Sequence, residues 1–365
     1  MSDEETRLGE LRERIDTIDD ELLRLISERA ECARTVAEVK QQANPDEDVA
    51  FYRPEREARV LRRIKERNPG PLADEEMARL FREVMSACLA LEKPMTIAFL
   101  GPEGTFTQAA ALKHFGHSVL STPLAAIDDV FREVASGNAE YGVVPVENST
   151  EGMINHTLDM FMSSPLKICG EVQLRIHHHL LVSPEADAAS VTRVYSHQQS
   201  FAQCRKWLDS HWPMLERVTV SSNAEAARLA SQEEGAAAIA GDMAASLYGL
   251  EIRYANIEDR PDNTTRFLIV GTEDVPASGE DKTSILVSMR NRPGALYGLL
   301  EPFQRHGIDL TRIETRPSPN ETWAYVFYID FRGHRDEQAI QAVLGEVEAQ
   351  CVEMKHLGSY PMGVL

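Results

Sequence analysis

Ten positions in the first forty residues, spaced alternately by three and four, form one continuous seam: Leu8, Leu11, Ile15, Ile18, Leu22, Leu25, Arg29, Cys32, Val36 and Val39. Nine are apolar and the tenth is an arginine. A repeat of this kind specifies a long helix packed along a continuous partner surface. A cation on such a seam is costly unless an anion meets it, so Arg29 points to a binding pocket inside a helical core. The helix, expected over 6–42, would be roughly 55 Å long at about 1.5 Å per residue. That is more than a subdomain of this size can cover alone, so a second chain is the expected cover. Arg12 and Lys40 flank the same seam, and three cations can converge on one small dianion once another helix closes the site. The plainer alternative is that Arg12 and Lys40 are solvated flanks whose stems lie along the helix.

The 365 residues suit two or three domains, and a formal charge of −20 argues against nucleic acid or an anionic membrane as partner. An anionic substrate would then need a local basic pocket in an acidic surface. The five cysteines (32, 88, 169, 204 and 351) have no paired spacing, which fits reduced thiols. The polar start does not read as a signal peptide and no apolar run approaches the ~18 residues of a membrane span, so a cytoplasmic protein is expected.

Three modules follow from the changes of period. The long helix, a short helix opened by Pro54 and ending near 67, and a third helix capped by Asp74 and running to Pro94 make the first, residues 1–93, an all-α three-helix unit. From 95 to 274 strand and helix signals alternate. Strands are expected at 96–100, 141–146, 180–182, 191–195, 218–221, 236–240 and 267–270, with a helix starting near Thr107 after the turn at 101–104 and others near 126–136, 198–211, 224–232 and 243–247. This is an α/β domain of two lobes with a cleft between them. A Pro-, Gly- and acid-rich linker at 275–281 leads into residues 282–362, whose βαββαβ order reads as an α+β ferredoxin-like sandwich.

The first module holds no nucleophile-base pair and no metal-ligand spacing, so any chemistry there works through positioning and charge. His177-His178-His179 invites a metal reading, but adjacent residues on a strand point to opposite faces, and three in a row cannot meet one ion. No metal and no cofactor are expected. In the third module, Asn291-Arg292-Pro293-Gly294-Ala295-Leu296 at a strand-to-helix turn and Glu314-Thr315-Arg316-Pro317 after the second strand could let a ligand carboxylate approach free N–H groups. Either motif alone also reads as a tight turn.

Taken together, these residues resemble a known family. Leu11-Arg12-x-x-Ile15-Asp16, Arg29, Lys40, Arg56-Glu57 and a third helix ending in Glu92 are similar to the all-helical class of chorismate mutase. Followed by Gly101-Pro102-Glu103-Gly104-Thr105-Phe106, Val144-Pro145-Val146-Glu147-Asn148-Ser149-Thr150, Tyr195-Ser196-His197-Gln198 and Asn263-Thr264-Thr265-Arg266-Phe267, they resemble the bifunctional P-protein family, chorismate mutase joined to prephenate dehydratase, along essentially the whole chain. The resemblance implies conversion of chorismate to prephenate and of prephenate to phenylpyruvate in phenylalanine biosynthesis. It also implies an intertwined dimer or higher oligomer.

In the mutase, Arg12 from the partner chain, Arg29 and Arg56 would hold carboxylates. Lys40 would donate to the ether oxygen and Glu57 would orient the ring hydroxyl. Glu92 stands where a glutamine is usual, Cys88 where a serine is common, and Arg53 near a common aspartate; a Glu92 facing the ether oxygen would have to be protonated to donate. In the dehydratase, Thr265 would place its hydroxyl at the leaving group, Arg266 would bind or order a carboxylate, and Phe267 would anchor the strand. Asn148, Ser196 and Gln203 would line the pocket, with Glu147 supporting it. Asn291, Pro293, Gly294, Ala295, Leu296, Glu314, Thr315, Arg316 and Pro317 resemble the phenylalanine-binding motifs of the ACT regulatory domain, with Thr315 replacing the usual serine, and imply feedback inhibition. Two other readings stay open at this point: a dehydratase whose helical module only dimerises, and an amino-acid sensor without catalysis.

Overall fold

The computed structural model describes residues 3–43, 51–185, 191–290, 292–317 and 325–364. Three helices come first: α1 (Asp3–Ala43), α2 (Pro54–Arg67) and α3 (Asp74–Glu92). Acidic residues open α1 and Lys40 lies in its last turn, both favourable to the helix dipole. Of α1 only Ala37 is buried, and Leu11, Ile15, Leu22 and Val39 are each half or more exposed. The helix packs on α3, and most of its seam stands open.

The middle of the chain builds two sheets. The larger runs β2 (Leu120–Leu124), β1 (Thr96–Leu100), β3 (Tyr141–Asn148), β11 (Thr264–Gly271) and β5 (Lys167–Arg175), with the two-residue β4 (Gly152–Met153) on β3. The inner pairs β1–β2 and β1–β3 are parallel, whereas β11 lies antiparallel to both β3 and β5. Helices α4 (Phe106–Phe115), α5 (Ile127–Ala135) and α6 (Asn155–Ser163) cover it. The smaller sheet runs β10 (Glu251–Tyr254), β6 (His179–Val182), β9 (Ala236–Ala240), β7 (Arg193–His197) and β8 (Glu216–Val220). It carries α7 (Gln198–Gln203), α8 (Arg205–His211), α9 (Asn223–Ala230) and α10 (Asp242–Tyr248). The single helix expected over 198–211 is two, broken at Cys204. The chain crosses between the sheets at 176–178 and again at 255–263, and these two crossings bound the cleft.

The last module is β12 (Asp281–Met289), α11 (Ala295–Arg305), β13 (Leu310–Pro317), β14 (Tyr325–Arg332), α12 (Gln338–Glu348) and β15 (Glu353–Pro361), in sheet order β13-β14-β12-β15. Its fifth and sixth elements bring β15 onto β5. Gly358, at φ +153, approaches so closely that a Cβ would overlap the Ile168 carbonyl. The 275–281 segment is packed, contrary to the free linker its composition suggests. Val275, Ser278 and Asp281 are buried, and the Arg62 guanidinium of α2 donates to the Ser278 carbonyl and hydroxyl and to the Glu280 carbonyl.

Candidate active sites and the domain junctions

In the helical module, Glu92 at the end of α3 lies within the electrostatic reach of Lys40 and Arg29. Partial burial pushes its carboxyl up from the ordinary range, and the two cations oppose but do not cancel that shift. Lys40 also stacks its ammonium over the Phe51 ring at 5.1 Å. Arg12 is exposed and sits about 25 Å from Arg29 along one straight helix, so it cannot serve the same site from the same chain. Arg56 is exposed at the start of α2.

Glu57 departs from expectation. Its carboxylate lies 2.9 Å from Arg82 in a pair buried between α2 and α3, and burial raises its titration above the usual range. Arg82 in turn donates to the carbonyls of Lys113 and His114, the last turn of α4. Since Arg82 is ten residues, about 15 Å, from Glu92 along α3, Glu57 belongs to the junction of the first two modules rather than to the Glu92 cluster. Its position in the first turn of an amphipathic helix hid this, because the carbonyls that Arg82 meets belong to another module.

The cleft between the sheets holds a chain of amides and hydroxyls. Asn148 at the end of β3 donates through Nδ2 to Thr265 Oγ1 at 2.8 Å and to Asn263 Oδ1 at 2.9 Å. Its own Oδ1 accepts from the Thr150 hydroxyl at 2.5 Å and from the Thr150 and Glu151 N–H groups. Gln203 accepts from Asn263 Nδ2 at 3.1 Å and donates toward Thr150 Oγ1 and Glu151 Oε1, each at 3.3 Å. Because Thr265 Oγ1 already accepts from Asn148, its proton is left to donate elsewhere. Asn263 and Thr150 were present in the segments quoted above but carried no role; only the folded register sets them beside Thr265. Ser196 is fully buried, with its hydroxyl committed to the Ile239 carbonyl and Asn223 Oδ1.

Strand alternation decides the two residues after Thr265. Arg266 points away from Thr265, contrary to the expectation that it handles a substrate carboxylate. Its guanidinium is buried on Glu171 of β5 at 2.8 Å, Asp330 of β14 at 2.7 Å and the Tyr360 hydroxyl of β15 at 3.1 Å. Lys282 of β12 completes the cluster on Glu171 at 2.8 Å. These charges hold Asp330 below the usual carboxylate range despite full burial, and keep Arg266 cationic. Phe267 returns to the opposite face and is buried in the core.

The third module meets the second along β13. Arg312 pairs with Glu147, next to Asn148, and Arg316 forks onto Asp159 of α6 at 2.9 and 2.8 Å. Glu314 lies half-buried on the same face, while Ile313, Thr315 and Pro317 are exposed on the other. Gly294 takes the left-handed conformation, φ +79, that places it as the cap of α11, ahead of Ala295 and a 43% exposed Leu296. Pro293 is exposed beside it, and Asn291 lies outside the described residues.

Fold and sites together define a multidomain enzyme in which a helical unit, a two-lobed α/β unit and an α+β sandwich are joined by arginines of the first donating to carbonyls of the other two and by buried ion pairs between the second and third. Family models match in the same order: chorismate mutase type II over 11–93, prephenate dehydratase over 97–275 and the ACT domain over 283–349. The chain is 63% identical over 366 aligned positions to the bifunctional chorismate mutase/prephenate dehydratase of Pseudomonas aeruginosa, covering 100% of each. It is 45% identical to that of Aquifex aeolicus, covering 98% of this chain and 99% of the other. A crystal structure of prephenate dehydratase from Arthrobacter aurescens in complex with L-Phe matches with a TM-score of 0.68 and 33% identity, over 73% of this chain and 90% of that one. The chain belongs to the bifunctional chorismate mutase/prephenate dehydratase family. Among the described residues, no helix is long and apolar enough to cross a membrane.

Proposed function

We propose that the three modules, bounded near 1–93, 95–274 and 282–362, carry the two family reactions and their control, with the residues below in named roles. In the first, chorismate rearranges to prephenate through a transition state that gathers negative charge on the breaking ether oxygen. Arg29 and Lys40 supply positive charge, a protonated Glu92 donates a hydrogen bond to that oxygen, and Arg12 of a second copy closes the far carboxylate. The open seam of α1, about 25 Å of it separating Arg12 from Arg29, supports a homodimer whose helices cover one another.

In the second, loss of the ring carboxylate as carbon dioxide sends its bonding pair into the ring and expels the hydroxyl at the opposite carbon, which leaves as water. The ring becomes aromatic and the product is phenylpyruvate. Thr265, whose oxygen is occupied by Asn148, donates to the departing hydroxyl; this one contact carries the reading. Phenylalanine, bound against the outer face of β13 between two sandwiches, would act on the cleft through the inner face, where Arg312 grips Glu147 one residue from Asn148.

The test supplies the protein with chorismate alone and follows chorismate loss and phenylpyruvate formation, with and without phenylalanine. Phenylpyruvate formation that falls by about 100-fold or more, to a residual but measurable rate, in Thr265→Val while chorismate loss persists is the expected result. Unchanged phenylpyruvate formation in that variant would refute the role of Thr265.

A further inference from the structure

The histidine run, set aside as a metal site, lies at the first crossing between the two sheets, and each of its members is spent on the second crossing or on the cleft. His177 Nδ1 is 2.8 Å from Glu258 Oε1, and the His178 N–H donates to Glu258 Oε2 at 2.9 Å. The Ile257 N–H donates to the His178 carbonyl at 2.8 Å and the Asn256 N–H to His179 Nδ1 at 3.1 Å. The two crossings are thus tied side by side, so the backbone of His178 is fixed from both sides.

Its ring turns toward the cleft. His178 is 2% exposed, meets the edge of Phe106 at 5.6 Å between centroids, and sets Nε2 2.8 Å from Gln203 Oε1. That oxygen also accepts from Asn263, while the Gln203 nitrogen faces Thr150 and Glu151, so the amide orientation is settled by three other groups. An acceptor opposite Nε2 requires that Nε2 carry a hydrogen. Nδ1 is buried and meets no partner among the described residues, so a second proton would have nowhere to donate. Burial lowers the basicity of the ring accordingly.

From this donor a continuous path leads to the reacting group: His178 to Gln203, Asn263 to Gln203, Asn148 to Asn263, and Asn148 to Thr265. Each amide in it has its oxygen and nitrogen assigned by the neighbour before it. We propose that His178 is a positioning residue for the dehydration, fixing the Gln203 amide and, through Asn263 and Asn148, the direction in which the Thr265 hydroxyl donates. Without the imidazole donor, the Gln203 oxygen keeps only the Asn263 donor and its side chain is held less firmly, so the acceptor that places Asn263, and through it the Asn148 donor that occupies the Thr265 oxygen, is no longer fixed in position. This rests on the reading of Thr265 given above.

The experiment compares His178→Leu, His178→Gln, Thr265→Val and the His178→Leu/Thr265→Val pair in the full chain, measuring dehydratase kcat and KM separately and mutase turnover as a check on the fold. The leucine variant is expected to lose about 10- to 100-fold in kcat with KM changed by less than about threefold and mutase turnover retained. Glutamine, which restores a donor toward Gln203, brings most of the rate back. The double variant falls no further than Thr265→Val alone, because His178 acts only through that hydroxyl. A leucine variant within about twofold of the parent, equal losses in leucine and glutamine, or losses that multiply in the double variant would each overturn the proposal. A Thr265→Val enzyme that keeps its rate would overturn the reading of Thr265 instead.

Discussion

Replacing Glu92 by glutamine separates a proton that comes and goes from one that is permanent. Glu92 is half-buried, and desolvation raises its carboxyl titration against the pull of Lys40 and Arg29. The two carboxylates of chorismate push it up further when they enter. In the role proposed for it, the neutral carboxyl below that pKa would donate to the ether oxygen, and above it a carboxylate would face the charge developing there. The mutase kcat/KM should therefore fall by up to about tenfold per pH unit as pH rises through the Glu92 pKa, levelling off once a loss of about 10²- to 10³-fold, the worth of one transition-state donor, has been reached. An amide donates at every pH, so the Glu92→Gln profile should be flat and should overtake the parent at the alkaline end. Initial chorismate loss measured from about pH 5 to about pH 8 in both proteins decides the matter. A parent profile without this slope, or a variant that keeps it, refutes the protonated-carboxyl role.

Other expectations follow from the junctions. Arg266→Met leaves Glu171 and Asp330 buried without their shared cation and should destabilise the chain by about 3–5 kcal/mol, read as a lower denaturant midpoint. Asp330 titrates below its unfolded value, so the unfolded chain binds the proton more readily; its stabilisation is present above about pH 4 and is lost as pH falls through the depressed native pKa. Asp330→Asn should be less stable at neutral pH yet lose less on acidification, and parallel acid curves for the two proteins would count against this. Asp159→Asn breaks the half-exposed fork to Arg316, costs no more than about 1 kcal/mol, and should weaken phenylalanine inhibition of the dehydratase without touching the mutase. Leu22→Asp on the open seam should halve the mass in sedimentation and abolish mutase turnover while dehydratase activity survives.

Periodicity revealed every helix but α6 and most strands, because those elements bury one face at a regular interval. It missed β5, where a buried Glu171 and Gly170 interrupt the apolar run, β2, whose Pro123 is tolerated only because the strand lies at the sheet edge, the two-residue β4, and β10, an edge strand with all four residues exposed. The segment around Thr265 was legible as a motif, and the hydrogen bond from Asn148 fits a cleft residue. What the motif did not show is which way each neighbour points. Arg266 and Glu57 look like substrate groups in one dimension, yet strand alternation and helix packing turn them into the joints between modules. Arg82, Arg312 and Asp159 carried no signal at all, since an ion pair between residues far apart in the chain leaves no local pattern.

The two faces of β13 bear on the supply of phenylalanine in a way that runs opposite to inhibition. If a ligand on the outer face weakens prephenate binding through Arg312 and Glu147, thermodynamic linkage requires prephenate in the cleft to weaken that ligand by the same factor. A rising pool of prephenate would then shed the inhibitor from the outer face, and the amount of end product needed to halt the pathway would be set by how much substrate is waiting.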